Sequence, residues 1–137
     1  MNKRISKQEY FMKLASISAE RSTCPRASVW VVVVKDDVVI ATWYNWACRW
    51  EDSCLDDWCL LEHWHCVRSV HAEMNSIINA ARVWVPLKWA ELYCTHKPCS
   101  ICSRIIINSW IKKVYYKKNY RTQNFNIWNY IEVEKLI

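Results

Sequence analysis

Two short segments carry residue types that can do chemistry together. His71-Ala72-Glu73 and Pro98-Cys99-Ser100-Ile101-Cys102 offer one imidazole and two thiolates, a donor set suited to borderline-soft zinc. Three protein ligands leave a fourth position for water, which is the catalytic and not the structural arrangement. Glu73, two residues from His71, is placed to face that open position without ligating. It would take a proton from the water and later return protons to the reacting groups, so one carboxyl serves as base and then as acid.

The elements that must position these residues follow from periodicity. Ser6 to Glu20 sets Tyr10, Phe11, Leu14 and Ile17 at helical spacing, which predicts an amphipathic first helix. Val29 to Val34 and Val38 to Thr42 read as two strands joined by a tight turn at Lys35-Asp36-Asp37. Ser69 to Arg82 is a helix candidate with Ser69 as N-cap and Pro86 marking its end, and Pro98 to Asn108 is a second helix opening at a proline. Glu91 to Cys94, Lys113 to Tyr116 and Ile131 to Val133 read as further strands. His71 and Cys99 thus fall near two helix starts, which can converge on one point and whose partial positive charge favours ionised thiols. Alternating helices and strands argue for a layered α/β fold.

Between Trp43 and Cys66 no period is sustained, yet the segment holds four cysteines, two histidines and the acidic group Glu51, Asp52, Asp56 and Asp57. Something other than a core must organise it. Cys54, Cys59 and Cys66, with Cys24, can make a second, closed tetrahedral zinc site of structural type. A site using His63 or His65, or reduced cysteines without metal, are the competing readings. Cys94, on an apolar strand, reads as a small buried residue, and Cys48 has no evident role.

At 137 residues and 53% apolar, the chain can bury one core, so 1–137 is expected to form a single domain. No run approaches the roughly 18 apolar residues of a membrane span, and Met1-Asn2-Lys3-Arg4-Ile5 turns polar instead of leading into a signal core. A soluble, cytoplasmic protein is expected, in which eight cysteines read as metal binding and not as disulfides. The net charge of +6 suits an anionic partner such as nucleotide phosphate or nucleic acid. Lys112, Lys113, Lys117, Lys118 and Arg121 interleave with Tyr115, Tyr116 and Tyr120, as in a single-strand binding surface. A strand followed by a solvated turn explains that stretch equally well.

His-x-Glu followed by Pro-Cys-x-x-Cys is the signature of zinc deaminases. Around it, Arg21 to Arg26, Tyr44-Asn45, Cys66 to Asn75, Tyr93 to Cys99 and Ile111 to Val114 resemble bacterial deoxycytidylate deaminases, of the cytidine and deoxycytidylate deaminase superfamily, nearly segment by segment. The resemblance implies a cytidine-deaminase-like three-layer α/β/α fold with a central mixed sheet of about five strands. It also implies zinc-dependent hydrolysis of dCMP to dUMP and ammonia, homo-oligomers that are often hexamers, and dCTP and dTTP as effectors. By the same resemblance Asn45 would contact the nucleoside, Arg26 the 5′-phosphate, and Arg82 an effector site or subunit interface. Deaminases of free cytidine, riboflavin precursors and tRNA adenosine share the metal motif and stay open as alternatives. Neither a membrane nor nucleic acid is expected as the partner.

One compositional fact is abnormal. The chain has ten tryptophans and no glycine, where about ten glycines are usual for this length. Against the family pattern, Trp30, Trp43, Trp46, Trp58, Trp64, Trp84, Trp89 and Trp110 stand where glycine is expected, and Trp50 and Trp128 fall where it is plausible. At a left-handed position each costs on the order of 1 kcal/mol, and several would consume much of a typical margin of roughly 5–15 kcal/mol. A zinc-binding but inactive protein is the alternative function on that ground, because Trp43 and Trp46 would flank the substrate loop.

Overall fold

The computed structural model describes residues 3–120 and 129–137; the expectations for Arg121 and Trp128 lie outside them. Helix α1 (Lys7–Ser18) starts at Ser6, whose hydroxyl accepts the Glu9 N–H at 3.1 Å. Its buried stripe is Phe11, Met12 and Ala15, while the expected Tyr10 and Ile17 are exposed. The helical period was legible, but its phase is displaced by about one residue. A helix carries its contact face as a band, and small Ala15 joins that band because the sheet comes close. Removing the cap oxygen by Ser6→Ala is expected to cost about 1 kcal/mol, read as a lowered denaturation midpoint; Ser6→Asp should retain most of the stability.

Strands β1 (Trp30–Lys35) and β2 (Val38–Tyr44) form an antiparallel hairpin. Its turn residues Asp36 and Asp37 have φ of 50° and 63°, the two positive values of a type I′ turn. After β2 come the short antiparallel pairs β3 (Trp46–Ala47) with β6 (Ser69–Val70) and β4 (Leu61–Glu62) with β5 (His65–Cys66). Then follow α2 (Ala72–Arg82), β7 (Glu91–His96), α3 (Ser100–Asn108), β8 (Lys113–Lys118) and β9 (Glu132–Lys135). The main sheet runs β2-β1-β7-β8-β9; β1 is antiparallel to β2 and β7, whereas β7, β8 and β9 are parallel.

Helices cover both faces, which is why β1 is an unbroken apolar run and not an alternating one. Val31 and Val33 pack with Leu92, Cys94 and Val114 toward α2 and α3, through Ala72, Ala80 and Ile106. Trp30, Val32 and Val34 pack with Tyr93 and Tyr115 toward Phe11, Met12 and Ala15 of α1. This is the three-layer α/β/α arrangement with a mixed five-stranded sheet.

Two helix starts differ from expectation. Ser69 does not cap α2; it sits in β6, and His71, in extended conformation, is the N-cap. Likewise α3 opens at Ser100 and not at Pro98, with Cys99 as N-cap and its sulfur accepting the Cys102 N–H at 3.5 Å. The candidate ligands themselves occupy the cap positions. In the basic stretch, Tyr115 and Tyr116 are buried in the sheet, and Lys113 pairs with Glu132 and Glu134 of β9. Those two rings belong to the core and not to a stacking platform of the kind that binds single strands.

Candidate active site

Because His71 and Cys99 end extended segments at adjacent helix N-termini, their side chains meet. His71 Nδ1 lies 3.5 Å from Cys99 Sγ and 3.3 Å from Cys102 Sγ. Zinc–nitrogen and zinc–sulfur bonds of about 2.0 and 2.3 Å at tetrahedral angles require nitrogen–sulfur separations of about 3.6 Å. The residues therefore fit the metal. Hydrogen bonds from the Cys102 thiol, and next from His71, hold the Cys99 thiol down at about 4 despite its burial. Cys102, which keeps the shared proton and is buried, is pushed well up. The Cys99 contact in turn raises the His71 imidazole above its usual value. One thiolate beside one imidazole is thus already favoured by the fold.

Glu73, in the first turn of α2, is only 3% exposed. Burial raises its carboxyl above the ordinary range, against the pull of His71. A carboxyl so placed can return to its neutral form, which a proton-transferring group must do twice per cycle. His71, Glu73 and Cys99 line a cavity of about 210 Å³, with Arg26, Asn45, His65, Lys97 and Tyr120 among its walls.

The arrangement matches known proteins. A family model described as the cytidine and deoxycytidylate deaminase zinc-binding region matches residues 5–118. The chain belongs to this deaminase family. It is 43% identical over 122 residues to ComE operon protein 2 of Bacillus subtilis, covering 89% of this chain and 65% of that one. To the deoxycytidylate deaminase of Saccharomyces cerevisiae it is 37% identical over 124 residues, covering 86% of this chain and 39% of the yeast protein. The chain thus spans less than two thirds of the length of either relative. The crystal structure of dCMP deaminase from cyanophage S-TIM5 in complex with dCMP and dUMP superimposes with a TM-score of 0.84 at 30% identity, covering 98% of this chain and all of that one.

Asn45 is buried in the cavity wall, where its amide oxygen accepts the Val29 N–H (3.0 Å) and the Ser22 hydroxyl (2.6 Å) and its Nδ2 donates to the Ala27 carbonyl (2.7 Å). It ties residues 22–29 to the site, and an amide's second N–H is what a ligand can take. Arg26 is exposed at the cavity and donates to the Trp64 carbonyl at 2.9 Å. Arg82 is exposed at the end of α2, away from the cavity lining. Trp43 and Trp46, expected at the substrate loop, stack instead on Tyr44, at 5.4 and 5.3 Å between ring centres, outside the cavity lining. Among the described residues, Trp64 is the tryptophan that lines the cavity.

The second cysteine group also assembles. Cys24 and Cys59 lie 4.0 Å apart and Cys54 and Cys66 3.5 Å apart, with all four sulfurs within 4.8 Å of one another. Four thiolates at about 2.3 Å from one zinc sit about 3.8 Å apart, whereas a disulfide would need about 2.0 Å; all eight cysteines are free. Neither His63 nor His65 belongs to the group. Cys24 and Cys66 also line the cavity, so the two clusters share a wall. Cys94 is buried in β7 and Cys48 is exposed.

Sequence reasoning missed Lys97 and His96, which adjoin Pro98-Cys99 and line the cavity; their nearness to the motif was the available signal. Burial, with Lys118 nearby, holds the His96 imidazole below its ordinary value. The folded state therefore resists protonating it. The associated stability is present at neutral pH and is lost as pH falls from the ordinary histidine value of about 6.5 through the lower folded value. Urea midpoints of the zinc-saturated protein measured from neutral to about pH 5 should fall less steeply in His96→Gln than in the parent.

Proposed function

We propose that residues 1–137 act as a single deaminase domain that hydrolyses dCMP to dUMP and ammonia with zinc. The observation that carries this reading is the convergence of His71, Cys99 and Cys102 beside buried Glu73 at one cavity. His71 Nδ1 and the two sulfurs would hold the metal, which when bound supplies the Lewis acidity that makes water nucleophilic near neutral pH. Glu73 takes the proton from the attacking water and delivers it to the pyrimidine ring nitrogen N3. The water oxygen bonds to C4; the proton of the resulting C4 hydroxyl then passes through the same carboxyl to the amine, which leaves as ammonia when the C4–N bond breaks, so that addition and elimination use one group. Low solvent access keeps the Glu73 proton on this path.

Asn45, by its second amide N–H, would orient the nucleoside, and Arg26, joined by Lys97 of the same cavity lining, would receive the 5′-phosphate; a guanidinium can do so with two parallel hydrogen bonds. The closed set of Cys24, Cys54, Cys59 and Cys66 would hold a second, structural zinc. We further assign the protein to the cytoplasm and to a homo-oligomer, a hexamer, regulated by dCTP and dTTP with Arg82 at an effector site or subunit interface. No described helix is long and apolar enough to cross a membrane.

The test is incubation of the zinc-loaded protein with dCMP, dCTP, cytidine and an adenosine-containing RNA loop, with ammonia and product nucleotide measured. Conversion of dCMP to dUMP is expected. Ammonia from cytidine but not from dCMP would overturn the substrate, release from the RNA loop alone would make it a tRNA-type deaminase, and no release from any substrate would leave an inactive zinc protein.

A further inference from the structure

Nine described non-glycine residues have positive φ, and six of them are tryptophan: Trp50 (66°), Trp58 (41°), Trp64 (68°), Trp84 (60°), Trp89 (66°) and Trp110 (59°). In this region the β-carbon of an L-residue crowds the following carbonyl oxygen, and a bulky residue there is an outlier. The turns concerned are the ones that select glycine. After α2, the Trp84 N–H bonds to Ala81 O (3.2 Å) and the Val85 N–H to Ala80 O (2.9 Å), a Schellman motif with Trp84 at its left-handed C′ position. After α3, Trp110 follows the C-cap Ser109 and bonds back to Ile107 O at 3.0 Å, again at C′.

Trp64 is the second residue of the two-residue turn between β4 and β5, where His63 also has positive φ. That is the glycine position of an Asn-Gly type I′ hairpin. Trp89 and Trp50 are the third residues of turns closed by Ala90 N–H to Leu87 O (2.9 Å) and Glu51 N–H to Cys48 O (3.2 Å). Their predecessors Lys88 and Arg49 have no positive φ, which makes both turns type II, the turn that wants glycine third.

Contacts of the indoles offset little of this strain. The six indoles are between 56% (Trp89) and 100% (Trp50) exposed, so their burial contributes little. Trp89 and Trp110 meet edge to face at 5.9 Å, with Lys88 Nζ over both rings, but this contact is itself on the surface. Strain held for function gathers at a site, whereas these positions are spread over separate turns and only Trp64 touches the cavity.

We propose that the polypeptide made in its source organism carries glycine at all ten tryptophan positions, because its UGA codons are read there as glycine. A codon rule acts on every UGA, and the complete absence of glycine beside ten tryptophans extends the proposal to Trp30, Trp43 and Trp46, whose φ is not positive, and to Trp128, which lies outside the described residues. The chain's total lack of glycine then requires that every glycine of this gene be written UGA. At the cavity, glycine in place of Trp64 keeps the carbonyl that holds Arg26 and removes an indole from the lining. Glycine at these positions is a matter of primary structure, independent of whether dCMP is the substrate.

The experiment is peptide mass spectrometry of the protein purified from the cells that carry its gene, with the coding DNA read alongside. Glycine at the ten positions over UGA codons is expected; tryptophan in those peptides, or UGG in the gene, overturns the proposal. Two recombinant forms supply the physical readout. Replacing the six left-handed tryptophans by glycine should raise Tm on the order of 10 °C, whereas Trp43→Gly with Trp46→Gly should not raise it. A six-glycine chain that melts no higher than the parent would remove the conformational basis.

Discussion

Glu73→Gln is expected to lower kcat for dCMP by about 10²- to 10⁴-fold while zinc content at His71, Cys99 and Cys102 is unchanged. The amide keeps the size and hydrogen-bonding reach of the side chain but cannot take a proton from water or hand one to N3. Because Glu73 is almost wholly enclosed, bulk solvent cannot replace it. KM should move little, since the carboxyl is assigned to proton transfer and not to nucleotide binding. Loss of metal together with activity would mean that Glu73 is a ligand or a structural support, and a fall in kcat of less than tenfold would mean that another group carries the protons.

The second large effect concerns Cys54. If Cys24, Cys54, Cys59 and Cys66 hold zinc, elemental analysis of the parent gives two metal equivalents per chain, and Cys54→Ser gives one. Segment 48–68 has few buried residues of its own, Cys54 and Ser53 being the exceptions, so a metal held there would add to the order supplied by the Arg68 pairs with Glu51 and Asp57. Cys24 and Cys66 share the cavity wall with Arg26 and His65. The variant should therefore raise KM for dCMP by about 10- to 100-fold, the range seen when supporting groups around a site are lost, with a smaller change in kcat. One metal equivalent in the parent would return these cysteines to the reduced, metal-free reading, and two equivalents retained in Cys54→Ser would give the second metal to other ligands. If the variant fails to fold, replacement of zinc by cobalt in the parent gives a thiolate-to-cobalt charge-transfer band whose intensity separates a four-thiolate site from none.

The site's centre was legible because it is local in sequence. His71 and Glu73 lie on one turn, Cys99 and Cys102 on another, and only the approach of two helix starts had to be supplied by the fold. The four-cysteine group was legible in a weaker way: a long segment with cysteines and no period needs an organiser, but only the tertiary path brings Cys24 beside Cys59 and leaves His63 and His65 out. The cavity walls were not legible. His65, Lys97 and Tyr120 come from three separate segments, and nothing in their local pattern sets them apart from surface residues.

Errors in the elements have the same origin. Periodicity located α1, yet which residues face inward depends on the helix's rotation against the sheet, and that placed Met12 and Ala15 inside and Ile17 outside. The N-cap of α2 was misread because Ser69 is a good cap by type, whereas pairing of β6 with β3 keeps the chain extended until His71. For the tryptophans, sequence alone raised the suspicion of glycine positions, and the turns at Trp50, Trp64, Trp84, Trp89 and Trp110 give it a backbone cause.

The most direct test of the assignment is anomalous diffraction at the zinc edge from crystals grown with dUMP. The account predicts a zinc peak bonded to His71 Nδ1 and to the Cys99 and Cys102 sulfurs, with the Glu73 carboxyl against the uracil at N3 and the 5′-phosphate at Arg26 and Lys97. Zinc ligated by Glu73, or dUMP bound away from this cavity, would contradict it.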